Sequence, residues 1–393
     1  MTITYPFDTP AGLDTQPEGL RLLAQGPMAR ARMNGHDVWL ALGYDAVRQI
    51  LTDPRMSRES AVRPGSPVTN QAGSNPELLV SIDPPRHTRI RRLMGKAFTA
   101  RMVTQLEPRV HHLVDRLLDG MASGGKPADL VGLVAEPLPV MVICELLGVP
   151  DDNRAQLREW ASRLIAETAY PPAEIAEAIK QVDAYLSALI ATKRDTPDDA
   201  LITALINVND EGNHLSPTEL VSNVQLLLIA GHETTVSQIG NSVVTLFQHP
   251  DQATLLAEHP ELLPRAVEEI MRYSQLTAAA LPRVASADVP VGGVVIRAGE
   301  AVVPMISVAN RDPAVFDDPH CFDITRIGPA PHVAFGHGPH FCLGAQLAQL
   351  ELRSVLGALS HRFPTLAPAV DLADLPWKTG LSVRALHALP VTW

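Results

Sequence analysis

Cysteine, aromatic residues and positive charge are all scarce in this sequence. Only Cys144, Cys321 and Cys342 occur in 393 residues, none in a CxxC spacing. That excludes a disulfide-stapled secreted scaffold and a zinc ribbon, and it fits a reducing compartment. Aromatics make up 4% of the chain, so leucine, valine, isoleucine and alanine must fill the core. Basic residues number 32 against 43 acidic ones, a formal charge of −11. Such a balance favours solubility and disfavours unspecific association with nucleic acid or anionic membranes. No apolar run approaches the roughly 20 residues of a membrane span; the longest near the centre is Leu226–Ala230. The opening residues, MTITYPFDTP, have neither the basic start nor the apolar stretch of a secretory signal. The expectation is a free cytoplasmic protein.

What the sequence has in abundance is helical periodicity. Over residues 85–275, apolar residues recur at intervals of three and four, as in VHHLVDRLLDGM and AEIAEAIKQVDAYLSALIA. Residues 61–77 and 168–172 read as loops, because proline, glycine, serine and asparagine interrupt the pattern. Neither reads as a domain linker, since amphipathic segments continue on both sides. No internal repeat occurs, and a single domain over 1–393 is expected. The clearest helix start is Ser216, placed as a cap, with Pro217 in the first turn and Glu219 completing a capping box. A helix over 217–249 is predicted from there, ended by Pro250. At about 1.5 Å per residue it would be roughly 50 Å long, and its apolar character on most sides sends it through the interior. Residues 281–306, with VPVGGVVIRAGEAVVPMI, change to short valine-rich strands. Further β-rich segments are expected near the N-terminus and at 380–393.

One cysteine stands in a distinctive setting. In FGHGPHFCLG, residues 335–344, Gly336, Gly338 and Gly344 free the backbone around Cys342, and AQLAQLELRSVLGALSHRF follows as a good helix. A cysteine just ahead of a helix N-terminus meets partial positive charge and unpaired amides that favour the thiolate. A heme iron takes its sulfur ligand in that form, and His340 could reach a carboxylate of such a group. Taken alone, a cysteine in a glycine-rich turn is most often a buried apolar residue. A phosphate loop is a poorer reading, because no Lys-Ser/Thr follows.

The string FGxGxHxCxG resembles the signature of the cytochrome P450 superfamily in its soluble bacterial branch, and the resemblance runs from about residue 10 to the end. It implies a mainly α fold with a small β portion, in which a long central helix crosses over a buried heme b. Cys342 is then the axial ligand of the iron. Glu269-Ile270-Met271-Arg272 is similar to the family's ExxR; on a helix the two charges share a face. Such spacing alone reads as a surface ion pair, whereas the resemblance implies a buried structural brace joined by Arg326. The family's Pro-x-Arg-Phe is altered here to Pro-His-Cys-Phe at 319–322. His87 and Arg91, in DPPRHTRIRR, match the family's HxxxR. With Arg283 and His340 they imply four donors to the heme propionates.

Ala230-Gly231-His232-Glu233-Thr234-Thr235 matches the family's acid–alcohol motif. A glycine and two threonines are poor for helix propensity and suit a local opening of the central helix. Glu233 and Thr234 are the implied catalytic pair, moving protons toward dioxygen; His232, at the variable position, is given no role. Leu226, Ala230, Leu276, Ala279 and Ala280, with residues near 61–80, are the expected substrate pocket. The implied reaction inserts one oxygen atom from O2 into a C–H or C=C bond of a bulky apolar small molecule, such as a polyketide or macrolide. Electrons would come from NAD(P)H through a ferredoxin and its reductase. Seven basic residues between 86 and 109 face one acid, Glu107. They read equally as a solvated helical face or as a docking surface for an acidic ferredoxin at Arg92, Lys96 and Arg101. A monomer is expected. A peroxide-driven enzyme on the same fold and a noncatalytic heme sensor remain open, and the intact Glu233–Thr234 pair argues against both.

Overall fold

The computed structural model describes the chain except residues 1–2, 8–11, 67–74, 165–168, 210–211, 275 and 329. Much of the loop expected at 61–77, and residue 168 of the second one, therefore lie outside the described residues. Six of the helices bear the residues singled out above or pack against them: α1 (Tyr44–Thr52), α2 (Arg86–Ala97), α3 (Ala100–Ser123), α4 (Pro217–Gln248), α5 (Leu263–Tyr273) and α6 (Ala345–Arg362). Five strands join them: β1 (Met28–Met33), β2 (His36–Ala41), β3 (Met56–Ser57), β4 (Arg283–Ala285) and β5 (Ala301–Pro304). The chain divides into two compact units. The first comprises Met1–Pro76, Val80–Pro84 and Gln248–Cys342; the second comprises Glu77–Leu79, Pro85–Phe247 and Leu343–Trp393.

The first unit is built on a five-stranded sheet in the order β1-β2-β5-β4-β3. β1 and β2 form a hairpin from Met28↔Ala41 to Met33↔His36. β2 runs parallel to β5 with Val38 opposite Ala301, and β4 lies antiparallel to both β5 and β3. All four residues of β5 are buried, as a central strand with apolar residues on both faces requires. Alternation divides them between two cores. Val302 packs with Trp39, Ile50 and Ile306, while Ala301 and Val303 pack with Val38, Leu40 and Met305. The expected strands at 281–306 are β4, β5 and a hairpin, Val289–Val291 with Val294–Ile296.

The second unit is helical and holds α4, which runs unbroken over 32 residues. Its capping box is formed: the Ser216 amide donates to Glu219 Oε2 at 3.0 Å and the Glu219 amide to Ser216 Oγ at 3.2 Å. The helix interior carries many buried polar residues, and several of them pair with backbone groups, the usual resolution for a buried polar atom. Ser242 and Thr245 hydroxyls donate back to the carbonyls of Gln238 and Asn241 at 2.6 and 2.8 Å. Asn241 Nδ2 reaches the carbonyl of Arg384 at 2.9 Å, and Asn223 Oδ1 accepts from the Leu79 amide at 3.0 Å. α3 and α6 pack together, tied by Arg362 Nη2 on Asp119 Oδ1 at 2.5 Å. The expected C-terminal strand is Pro390–Thr392, paired with Ala128–Asp129 and Ala367–Pro368. Among the described residues, no helix is long and apolar enough to cross a membrane.

Candidate active site

The cysteine loop belongs to the first unit, and glycine at 338 is a steric requirement there. Gly338 adopts φ +71°, and a Cβ would lie 2.8 Å from Thr52 Cγ2 and 2.9 Å from the Leu51 carbonyl oxygen of α1. Three backbone bonds close the loop: Gly336 N to Val333 O at 2.9 Å, Phe341 N to Gly338 O at 3.0 Å, and Cys342 N to Phe335 O at 3.0 Å. They leave the Cys342 side chain exposed, unlike the buried apolar cysteine considered above. Cys144 is the buried one. His340 lies on the same loop, half-buried. His337, beside it, accepts from Arg48 Nε at 3.3 Å; burial and then the Arg48 charge lower its pKa.

A buried arginine fixes the route into that loop. Arg272, at the end of α5, is 4% exposed and uses all five of its N–H donors. Nε and Nη2 grip the two oxygens of Glu269 at 2.7 and 2.8 Å. Nη1 donates to the carbonyls of Asn310 and Pro319 at 2.9 and 2.8 Å, and Nη2 also to that of Cys321 at 3.0 Å. Asn310 in turn accepts the Val333 amide on Oδ1 at 2.8 Å, which links the brace to the start of the cysteine loop. Arg326 donates from Nε to Glu269 Oε1 at 3.1 Å. The altered Pro-His-Cys-Phe segment does no harm, because the brace uses its backbone carbonyls. Sequence reading missed Arg311. It is buried and lies 3.6 Å above the Tyr273 ring, donating to the carbonyls of Pro319 and Tyr273 at 3.1 and 2.9 Å. Its signal would have been an arginine between Asn310 and Asp312 in a short apolar stretch.

Arg283 opens β4 and is 3% exposed. Among the described residues, its Nη1 reaches neutral carbonyls, those of Leu281 at 2.9 Å and Pro282 at 3.4 Å. Burial, and next the charge of Arg58, push its pKa well down. Just before it, Leu276, Ala279 and Ala280 are half-buried.

In the second unit, His87 and Arg91 stand one turn apart on α2, His87 buried and Arg91 half-buried. The basic run resolves into two sets. Arg86 pairs with Glu77, and Arg89 with Glu219 and with the carbonyl of His214 at 3.0 Å; Arg109 meets Glu145 at 2.9 Å. Those residues tie elements together. Arg92, Lys96 and Arg101 are exposed.

Along α4, Leu226, Ala230 and Thr234 follow one another at four-residue intervals and form a half-open stripe on a mostly buried helix. The Thr234 hydroxyl donates to the Ala230 carbonyl at 2.6 Å. The expected local opening is absent: the helix continues unbroken through 230–235, and the hydroxyl bonds back to its own preceding turn. Gly231 is small for a reason of packing, since a Cβ there would meet Ile143 Cδ1 at 3.3 Å. Glu233 turns the other way, 3% exposed, and accepts from Lys378 Nζ at 3.3 Å; the same ammonium stands 3.8 Å from Glu136 Oε1. Lys378 is held by its amide on the Ala385 carbonyl at 2.8 Å. No motif marks it in the sequence, so it too was missed.

The cytochrome P450 family profile matches residues 169–386. The chain is 42% identical over 395 residues to nocardicin C N-oxygenase of Nocardia uniformis subsp. tsuyamanensis, covering 100% of this chain and 99% of that protein. It is 43% identical to the cytochrome P450 monooxygenase PikC of Streptomyces venezuelae, covering 97% and 91%. Among solved structures, the LnmA cytochrome P450 hydroxylase from the leinamycin pathway of Streptomyces atroolivaceus S-140 superposes with TM-score 0.93 at 42% identity, covering 100% of both chains.

Proposed function

The chain belongs to the cytochrome P450 superfamily and is a monooxygenase of that kind, and from that premise we propose how its own residues divide the work. Family membership implies a heme-thiolate cofactor, and the residues present fit one. Cys342 offers an exposed, soft sulfur ligand, and Arg283 is a buried guanidinium whose Nη1 hydrogen-bonds to neutral carbonyls. When bound, the heme b supplies the redox chemistry that splits dioxygen, its thiolate pushing electron density that favours O–O cleavage. Cys342 holds the iron, while His87, Arg91, Arg283 and His340 donate to the two carboxylates. Thr234 relays protons at its hydroxyl and Glu233 resupplies them. Glu269, Arg272 and Arg326 hold the cysteine loop in shape. Leu226, Ala230, Leu276, Ala279 and Ala280 line the substrate pocket; the open stripe on α4 and the small side chains before β4 support that reading.

The substrate is a bulky apolar secondary metabolite of polyketide or macrolide type. Support comes from similar proteins, which include a mycinamicin IV hydroxylase/epoxidase of Micromonospora griseorubida at 40% identity. Electrons arrive from NAD(P)H through a ferredoxin and its reductase, with docking at the exposed Arg92, Lys96 and Arg101. The protein works as a cytoplasmic monomer and as one catalytic domain. The observation that carries the reading is the exposed thiol of Cys342 at the end of a loop braced by the Glu269–Arg272 pair. The reduced carbonyl complex should show the red-shifted Soret band of thiolate ligation. Cys342→Ser should abolish it, and Cys144→Ser and Cys321→Ser should keep it. A band retained in all three would overturn the ligand assignment. Macrolide turnover with peroxide but never with ferredoxin, reductase and NADPH would replace the monooxygenase reading with the peroxide-driven one.

A further inference from the structure

Arg283 has a buried neighbour of the same sign. Arg58, just after β3, is 3% exposed. Its Nε donates to the Val80 carbonyl at 3.0 Å, and its Nη1 donates to the Pro282 carbonyl, the same oxygen that Arg283 Nη1 approaches. Two buried guanidiniums thus converge on one neutral acceptor. Asp83 is the nearby carboxylate, but its oxygens accept from the Ser57 hydroxyl, the Arg58 amide at 2.8 Å and the Glu59 amide at 3.3 Å. Those bonds fix the chain direction at 57–59 rather than gripping either guanidinium. Among the described residues, two positive charges against one negative leave this corner with an excess of one. Burial pulls the Arg58 pKa down to about 10, with Asp83 opposing, and Arg283 is depressed by burial and by Arg58. Burying like charges side by side is costly unless an anion completes the set.

We propose that Arg58 and Arg283 together form a dicationic seat for one carboxylate of the cofactor, with Arg58 a binding residue in its own right and Asp83 tempering the charge. The inference rests on the heme reading above and adds a residue that no P450 motif in this sequence marks. A planar carboxylate accepts from two guanidiniums at once, and the shared Pro282 carbonyl keeps the two forks adjacent. Asp83 holds the excess at one charge, enough to bind a monoanion.

The test uses the full-length holoprotein and two readouts other than turnover: the rate of heme transfer to an excess of an acceptor apoglobin, and the ferric/ferrous midpoint potential. Arg58→Met should speed heme loss by at least about tenfold, the loss of one charge-assisted hydrogen bond, and should lower the potential, because a nearby positive charge favours the added electron. Arg58→Lys should recover most of both. Asp83→Asn should act in the opposite direction, slowing heme loss and raising the potential. A merely structural Arg58, tying the Val80 and Pro282 carbonyls, would make both Arg58→Met and Asp83→Asn lose heme faster without opposite shifts of potential; that result would overturn the proposal. If Arg58→Met fails to fold, the signs for Arg58→Lys and Asp83→Asn still decide. Failure of the underlying heme-thiolate reading is separately visible, as the wild-type carbonyl complex would lack the red-shifted band.

Discussion

Neutralising Glu269 is the most direct way to ask whether the brace behind the cysteine loop is structural. The Glu269→Gln side chain keeps the size and one acceptor oxygen but turns the other into a donor. In the wild type the carboxylate takes four hydrogen bonds: two from Arg272, one from Arg326 Nε at 3.1 Å and one from the Asp323 amide at 3.0 Å. The side chains of Glu269 and Arg272 are each 3% exposed, and that of Arg326 is 15% exposed. After the change, one wholly buried guanidinium loses its counter-charge and meets an opposing N–H. Removing one partner of a buried pair costs about 3–5 kcal/mol. Arg326 can recover some solvation, so about 4 kcal/mol is expected, against roughly 1 kcal/mol for an exposed pair. Urea unfolding followed by far-UV circular dichroism gives the loss of stability. The red-shifted carbonyl band should fail at lower urea than the helical signal, because the Arg272–Asn310–Val333 link holds the cysteine loop. A loss below about 1 kcal/mol, in the range of exposed ion pairs, would refute the reasoning.

Thr234→Ala should leave heme content, carbonyl spectrum and substrate affinity nearly unchanged while more peroxide and less product appear per NADPH; full coupling would remove Thr234 from the proton relay. Lys378→Met and Glu233→Gln, measured singly and together by thermal unfolding, should show a coupling of about 1–3 kcal/mol, since the carboxylate is buried; additive effects would mean that the Lys378 contact holds nothing in place. Glu351 lies wholly buried on α6, where desolvation raises its pKa well above the usual carboxyl value. The unfolded chain releases that proton first. Stability should therefore be complete below the ordinary range near 4.5 and fall as pH rises toward the native pKa, by about 1.4 kcal/mol per unit. Glu351→Gln should flatten that slope, and an unchanged profile would place the carboxyl in contact with a compensating charge. Arg101→Glu should slow reduction by an acidic ferredoxin at low salt and lose that effect at high salt; equal slowing at all ionic strengths would count against the docking surface.

The sequence by itself determined the features that repeat locally or follow a fixed spacing. The capping box at Ser216–Glu219, the end of α4 near Pro250, the strands at 281–306 and the pairing of Glu269 with Arg272 all follow from neighbours a few residues apart. Arg326 was reachable because the family resemblance supplied its partner. The contacts of Arg58, Asp83, Arg311 and Lys378 were decided by tertiary structure alone. Each acts across a long stretch of chain: Arg58 reaches Pro282, and Lys378 reaches Glu233. An isolated arginine or lysine in sequence carries no sign of whether it will face water or lose it. Burial is a property of the assembled fold, and burial turns an ordinary charge into one that must find a counter-charge. The same holds for the basic run at 86–109. Its composition is plain in the sequence, but only the fold separates Arg86, Arg89 and Arg109, committed to Glu77, Glu219 and Glu145, from Arg92, Lys96 and Arg101 on the surface. Ion pairs between residues far apart in the chain form only once the helices have packed and brought the two charges within a few ångströms.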